Sequence, residues 1–331
     1  MDKFKLEELE LAPEIPGIKL DTENFSIVVA PELGGKIISL VNKATGREFL
    51  SRTNIPHRMR TYADRFENYE RDGADECFPT VEDCPYPAFP WEGVPVPDHG
   101  EVWTLPWQYE VKQGRLQMWV KGVRLPYVFQ RDLRFETLAR GEKPYIRFSY
   151  TVRNESPFEM PFVYAFHPLF KVETRARILM PSGTDVVSYM STEDRLGPPM
   201  TRHAWPKVTD VTLDKAYNRS SIRSSRTKEA EKIFSTRLDQ GRCALVYPNG
   251  EFIGFLFPAK KLPHLGLWIN EGGWNNLHHA ALEPSTSQVD RLDTAWGLKA
   301  CGVVPANGQS EWDISLILGE GEERQELLGE F

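Results

Sequence analysis

The sequence is poor in cysteine and has no long apolar run. Its 331 residues include four cysteines, at positions 77, 84, 243 and 301. Cys77 and Cys84 lie too far apart for a CxxC metal site. No segment approaches the roughly 18 apolar residues that span a bilayer, and the N-terminus lacks the apolar segment of a signal peptide. We therefore predict a cytoplasmic protein with reduced thiols and no membrane partner.

The sequence also lacks excess positive charge and the common nucleotide and metal motifs. The net charge is -7, which argues against nucleic acid as a partner, because phosphate backbones require a basic surface. The chain has no GxGxxG, Walker A, GxSxG or HExxH motif. His278 and His279 would point to opposite faces of a strand and could not ligate one metal ion. We expect neither a cofactor nor a bound metal.

Short β-rich runs recur along the chain, whereas helical periodicity is sparse. Tyr145–Val152 alternates between apolar and polar residues, as a half-buried strand does. The best helical patch is Lys228–Lys232, and it is short. Similar β-rich runs begin near residues 25, 36, 108, 116, 127, 161, 177, 243, 252, 265, 279 and 311. The pattern predicts an all-β fold, a large antiparallel sandwich, with residues 1–20 as an N-terminal arm and 21–331 as a single domain.

Residues 51–101 form a long irregular region that is rich in proline. Prolines at 56, 79, 85, 87, 90, 95 and 97 exclude long helices and central strands there. A loop region of this length is usually functional or disordered, and its aromatic residues favour an ordered one. We predict that it covers one mouth of the fold.

Three ionisable residues each stand among apolar residues beside a Gly or Pro: His99, His167 and Glu283. His99 alone could be a surface-loop histidine, and His167 alone a core histidine with both nitrogens satisfied. Glu283 ends the apolar run Ala280–Leu282, where burial would raise its pKa. Buried carboxylates are either paired or functional. We predict that these three residues converge on one carbohydrate pocket.

Five further residues are candidates for substrate binding. Trp268 is either a core residue or a platform for the C–H face of a sugar. Asp75 and Glu76 either accept hydrogen bonds from sugar hydroxyls or belong, with Arg71, to a solvated charge cluster. Lys36 and Arg71, together with Arg58 and Arg60, would be the candidates for a phosphate clamp if the sugar were phosphorylated.

Four segments resemble the aldose 1-epimerases, the galactose mutarotase-like family. Pro31–Leu40 resembles the opening strand pair of that family, and Asp98–Trp103 its first histidine segment. Phe166–Phe170 resembles the second histidine segment, and Leu282–Pro284 the segment with the catalytic carboxylate. The resemblance runs from about residue 25 to residue 318. It implies a β-supersandwich fold of the galactose mutarotase type.

The resemblance also implies a reaction, the cofactor-free interconversion of the α and β anomers of a hexose. Glu283 would take the proton of the anomeric hydroxyl, while His167 would give one to the ring oxygen. His99 would support charge at that oxygen. The partner would be a small sugar, bound by a monomer or homodimer. Two alternatives stay open at this point: a hexose-6-phosphate 1-epimerase, and a carbohydrate-binding protein of the same fold without catalysis.

Overall fold

Antiparallel strands make up most of the regular structure, as the sequence predicts. The computed structural model describes residues 4–137 and 144–321. Strands in the first part of the chain are β1 (Lys5–Ala12), β2 (Ile15–Asp21), β3 (Phe25–Ala30), β4 (Lys36–Asn42), β5 (Arg47–Glu48), β6 (Ala74–Cys77), β7 (Cys84–Pro85), β8 (Pro95–Val96), β9 (Gln108–Lys112), β10 (Arg115–Lys121), β11 (Tyr127–Thr137) and β12 (Pro144–Asn154).

The second part of the chain continues in the same way, with one short α-helix among its described residues. Its elements are β13 (Met160–Phe162), β14 (Ala165–Lys171), β15 (Arg177–Leu179), β16 (Asp185–Ser191), β17 (Arg202–Ala204), β18 (Lys207–Asp210), β19 (Lys215–Asn218), β20 (Glu229–Ser235), β21 (Gly241–Val246), β22 (Glu251–Phe257), β23 (His264–Glu271), β24 (His278–Ser285), α1 (Leu292–Gly297), β25 (Gly302–Val304) and β26 (Gln309–Glu320). No described helix is long and apolar enough to cross a membrane.

Two large sheets pack face to face. The larger has twelve strands, in the order β1-β2-β3-β4-β6-β14-β24-β23-β20-β16-β17, with β5 paired to β4. The other has eight, in the order β15-β21-β22-β26-β12-β11-β10-β9. Neighbouring strands within each sheet pair in antiparallel fashion. This arrangement confirms the predicted antiparallel β-supersandwich.

The core lies between the two sheets and follows from period-two alternation. In β12, the predicted inner face of Ile146, Phe148, Tyr150 and Val152 is buried, while the residues between them are partly exposed. The Phe148 ring lies 5.7 Å from the Phe166 ring of β14, across the gap between the sheets. Such alternation buries one face of each sheet, and burial of apolar area is the main stabilising contribution.

The N-terminal segment extends the large sheet, and one local prediction, a helical patch, differs from the structure. Residues 5–21 form β1 and β2, an edge hairpin of the large sheet, and Ile18 and Leu20 are buried in the core. The predicted arm is therefore continuous with the sheet. The prediction of a helical patch at Lys228–Lys232 is wrong, because Glu229–Ser235 is strand β20, which pairs with both β16 and β23. Pairing on both edges overrides the weak helical preference of this segment.

Candidate functional site

Strand β14 divides its side chains between the core and the opposite face of the large sheet. Phe166 and Phe170 contact the Phe255 ring in the core, with centroids 6.1 and 5.8 Å away. The alternate residues His167 and Leu169 point to the other face, because successive side chains of a strand do so. Both line a cavity on that face.

Parts of the predicted irregular region 51–101 lie over this face. The expectation that it contains no central strand is wrong, because Ala74–Cys77 is β6, between β4 and β14 in the large sheet. His99 has φ of 57° and Gly100 has φ of 75°. A Cβ at position 100 would lie 2.0 Å from the Phe78 carbonyl oxygen, so a glycine is required for this close approach. The turn presents the His99 ring to Phe66, which stacks on it at 4.3 Å, and to His167, whose ring centroid is 5.2 Å away.

The cavity has a volume of about 540 Å³, within the range of small-molecule sites. One wall is aromatic, with Trp268 and Trp274 approaching edge to face at 6.0 Å. The residues that line the cavity are Arg65, Phe66, Glu67, Val81, Glu82, Asp83, Asp98, His99, His167, Leu169, Tyr189, Met190, Lys232, Trp268, Trp274 and Asp290. Apolar walls with a few converging polar groups are typical of a ligand site.

The two histidines differ in their protonation. Burial would lower the pKa of His99, but the charge of Asp98 and its hydrogen bond to Nδ1, at 2.9 Å, raise that pKa above its usual value. Burial, followed by the positive charges of His99 and Lys232, holds the pKa of His167 well below its usual value. The site therefore favours protonation of His99 over protonation of His167.

A buried ammonium group links two carboxylates at the side of the cavity. Lys232 Nζ lies 2.5 Å from Glu283 Oε2 and 3.5 Å from Asp290 Oδ1. The contact with Glu283 passes over Gly266, where an added Cβ would lie 3.3 Å from Glu283 Oε2. The two carboxylates raise the pKa of Lys232 against the effect of burial, so it stays cationic. The Lys232 ammonium group thus forms ion pairs with two carboxylates, one from β24 and one from the segment that follows it.

The two carboxylates are not equivalent in their access to the cavity. Glu283 is fully buried and is not among the residues that line the cavity, although its Oε1 lies 3.9 Å from His167 Nε2. Asp290 lines the cavity, and its Oδ1, like Glu283 Oε1, is buried and accepts no hydrogen bond from a described residue. Burial, opposed in part by Lys232, raises the pKa of Asp290 to about 6. Glu283, expected from the sequence to face the sugar, therefore lies behind His167, and Asp290 is the carboxylate of this pair that borders the cavity.

Three of the predicted substrate-binding residues also need correction, because they are buried in ion clusters away from the cavity lining. Lys36 Nζ lies 2.7 Å from Asp75 Oδ2, beneath the large sheet's covering loop. Glu76 lies in the core, where Arg131 donates to its Oε1 at 2.8 Å and Tyr164 donates to its Oε2 at 2.9 Å. Burial with these partners leaves none of the three available to a sugar.

The other two predicted binding residues lie at the aromatic wall. Trp268 lines the cavity and donates its indole N–H to His279 Nε2 at 3.1 Å, which fixes the ring. Arg71 is not part of the lining, and its guanidinium lies 5.7 Å from the centre of the Trp274 ring. Arg71 can therefore act on a ligand only through the orientation of Trp274.

One group of metal-ligand type occurs among the described residues. His57, Glu70 and Asp72 offer ligand atoms within 4.8 Å of one another. The Lys36 ammonium lies 3.2 Å from Glu70 Oε1 and 3.9 Å from Asp72 Oδ1. A metal ion would have to compete with this fixed cation, so the donor set does not fit a metal site well.

Sequence reasoning missed Lys232 and Asp290. The segment around Lys232 has helix-forming residues and gave no indication of a cavity. Asp290 comes shortly after the polar run Ser285–Gln288, which is typical of an ordinary loop. The available signal was the buried carboxylate predicted at position 283, because a buried carboxylate requires a cationic partner.

With this geometry, the fold class can be compared with known proteins. A galactose mutarotase related enzyme from Lactobacillus acidophilus superposes with a TM-score of 0.65 at 14% identity, covering 92% of this chain and 97% of that one. A galactose mutarotase-like protein from Lactobacillus casei gives 0.62 at 16% identity, covering 92% and 100%. A proposed aldose 1-epimerase from Klebsiella pneumoniae gives 0.71 at 12% identity, covering 98% and 86%.

These solved structures are mostly galactose mutarotase-like proteins, and the chain has their fold. The likeness predicted from four sequence segments is thus confirmed at the level of the fold. Residues 14–103 also match a family described as a domain of unknown function (DUF5107). That match ends before the strands that carry His167, Lys232 and Glu283. A search of curated proteins finds no significant match.

Proposed function

We propose that the protein is an aldose 1-epimerase, which interconverts the α and β anomers of an unphosphorylated sugar by opening its ring. The observation that carries the proposal is the convergence of His99, His167 and Asp290 on one cavity of about 540 Å³. Ring opening needs a proton acceptor at the anomeric hydroxyl and a proton donor at the ring oxygen, and this cavity has both.

Asp290 is the proton acceptor in this mechanism. Its carboxylate takes the proton of the anomeric hydroxyl, the C1–O5 bond breaks, and C1 becomes an aldehyde. With a pKa raised to about 6, it is mostly ionised at neutral pH yet basic enough to hold the proton. After rotation about the C1–C2 bond, the aldehyde presents its other face and the same transfers run in reverse.

His99 is the proton donor to the ring oxygen. Asp98 holds Nδ1 and raises the pKa of the ring, so Nε2 is the nitrogen that remains for the substrate. The neutral His167 lies beside it and can hydrogen-bond the same oxygen. This assignment exchanges the roles that the family resemblance implies for the two histidines, because the charged imidazole is the stronger acid.

Lys232 and Glu283 position the acceptor and do not exchange protons with the sugar. The ammonium group holds Asp290 at 3.5 Å and is itself held by Glu283 at 2.5 Å. Trp268 and Trp274 supply apolar surface for the C–H face of the ring. Since Glu283 is fully buried, its contribution reaches the substrate through Lys232.

The charge of the cavity favours an unphosphorylated sugar over a hexose phosphate. Five carboxylates line the cavity, against two basic side chains, Arg65 and Lys232, and the imidazole of His99; Lys232 is already paired with Glu283 and His99 with Asp98. Of the phosphate-clamp candidates, Lys36 and Arg60 are buried and paired with acids, and neither lines the cavity. A phosphate dianion would meet repulsion from the carboxylates here.

Polarimetry on freshly dissolved α-glucose and α-galactose tests the proposal. The wild-type protein should speed the approach to anomeric equilibrium, and His99→Asn should lower kcat by about 10²-fold, the usual contribution of one proton transfer. His203→Asn is a matched control, a buried histidine outside the cavity lining. Sugar binding without any rate increase would instead identify a carbohydrate-binding protein.

A further inference from the structure

A second pocket, of about 260 Å³, lies where β23 begins and β24 ends. His264, the first residue of β23, is in its wall, and Trp268 of the cavity lies four residues further along the same strand. At the usual rise of a strand this separation is roughly 13 Å. Thr286, directly after β24, forms another part of the wall. The two sites therefore share strands but are distinct.

The rim of this pocket is basic, in a protein with a net charge of -7. It carries Arg237, Lys260, Lys261 and Lys299, and no acidic residue is among the described residues that line it. None of the four cations has an ion pair or a side-chain hydrogen bond to a residue in the described ranges. Four unpaired positive charges around one concave site attract an anion.

The inner wall supplies hydrogen-bond donors. Ser310 and Thr286 are buried, and neither hydroxyl donates to a described residue. Trp312, which is 5% exposed, forms part of the same wall, and its buried indole N–H has no partner within residues 4–137 and 144–321. Buried donors are normally satisfied, so this N–H, on a side chain that forms part of the wall, lacks an acceptor among the described residues.

We propose that this pocket binds a small phosphate monoester, separately from the sugar cavity. A phosphate group needs several charges and donors around its oxygens, and the pocket offers four cations at the rim and the hydroxyl-bearing side chains of Thr286 and Ser310 in its wall. A volume of 260 Å³ exceeds that of the phosphate group alone, which leaves room for a short organic moiety. The proposal does not depend on epimerase activity.

Calorimetric titration of the full chain with glycerol 3-phosphate tests this site, in a phosphate-free buffer and against sodium chloride at equal ionic strength. We expect saturable binding at one site, about tenfold weaker in the Lys260→Gln/Lys261→Gln variant because two rim charges are lost. Binding should be at least as tight as that of inorganic phosphate. Binding of inorganic phosphate alone, or of neither probe, would overturn the proposal.

The control is Lys207→Gln/Lys215→Gln, which removes the same charge from two exposed lysines of the β18–β19 hairpin. It should change the affinity less than twofold, whereas an equal loss in both variants would mean only nonspecific attraction. The indole N–H resonance of Trp312 should shift on titration, and an unmoved signal would place the ligand elsewhere. Asp290→Asn should leave the affinity unchanged, since that residue belongs to the sugar cavity.

Discussion

Asp290 and Glu283 lie on either side of one ammonium group, and this arrangement gives them different tasks. Lys232 contacts both, but only Asp290 also borders the cavity. A carboxylate that takes a proton from a substrate must border the cavity, and of the two acids Asp290 does so. Glu283 instead compensates the charge of Lys232, without which a buried ammonium would be costly.

Substitution of each acid should separate these tasks. Asp290→Asn should lower kcat by about 10²- to 10³-fold with little change in KM, because a proton transfer is lost. Glu283→Gln should cost about tenfold, because it acts only through Lys232. Anomer exchange kinetics give both values, with Asp83→Asn as a control at an exposed acid of the cavity rim. A larger loss in Glu283→Gln would make Glu283 the proton acceptor.

The pH dependence follows from the same groups. Asp290 acts when ionised, so kcat/KM should fall as the pH drops through about 6. His99 acts when protonated, and because Asp98 raises its pKa above the usual value, activity should fall again only at higher pH. Asp98→Asn should move this basic limb to lower pH. A basic limb at the same pH in both proteins would exclude His99 as the donor.

At the scale of single elements, strand pairing determines the secondary structure of segments whose local sequence does not. Residues 145–152 alternate so regularly that their strand and its buried face are predictable from the sequence. Residues 228–232 contain mainly helix formers, and the extended conformation of residues 229–232 comes from pairing with β16 and β23. Lys232 reaches the site only through that pairing, so its position could not be predicted from the sequence.

The loop over the large sheet depends on a buried ion cluster, which gives a test of stability. Lys36 lies between Asp75 at 2.7 Å and Glu70 at 3.2 Å. Lys36→Met would leave these carboxylates with too little positive charge, at a cost of about 3–5 kcal/mol in the free energy of unfolding. Urea denaturation measures this change. Lys121→Met, at an exposed lysine without an ion pair to a described residue, should change it by less than about 0.5 kcal/mol. Equal effects would contradict the structural role of the cluster.

For the whole molecule, the sequence predicted the architecture better than the site. Many short strands with turns between them define a β-sandwich, and the order of the two histidine segments and the carboxylate segment indicates the mutarotase-like fold. The site depends on which groups meet across distant strands and loops. His99 and His167 lie together, with ring centroids 5.2 Å apart. Asp290 follows from three-dimensional proximity to Lys232, which no local pattern encodes.

The most direct test of the whole account is the rate of anomer exchange at equilibrium, measured by NMR magnetisation transfer between the α and β signals of one aldose. Wild-type protein should increase this rate in proportion to its concentration, and Asp290→Asn should remove about 99% of the increase, in keeping with the loss of one proton transfer. The proposed epimerase activity would be contradicted if, for every aldose that binds, the exchange rate with wild-type protein were the same as in buffer.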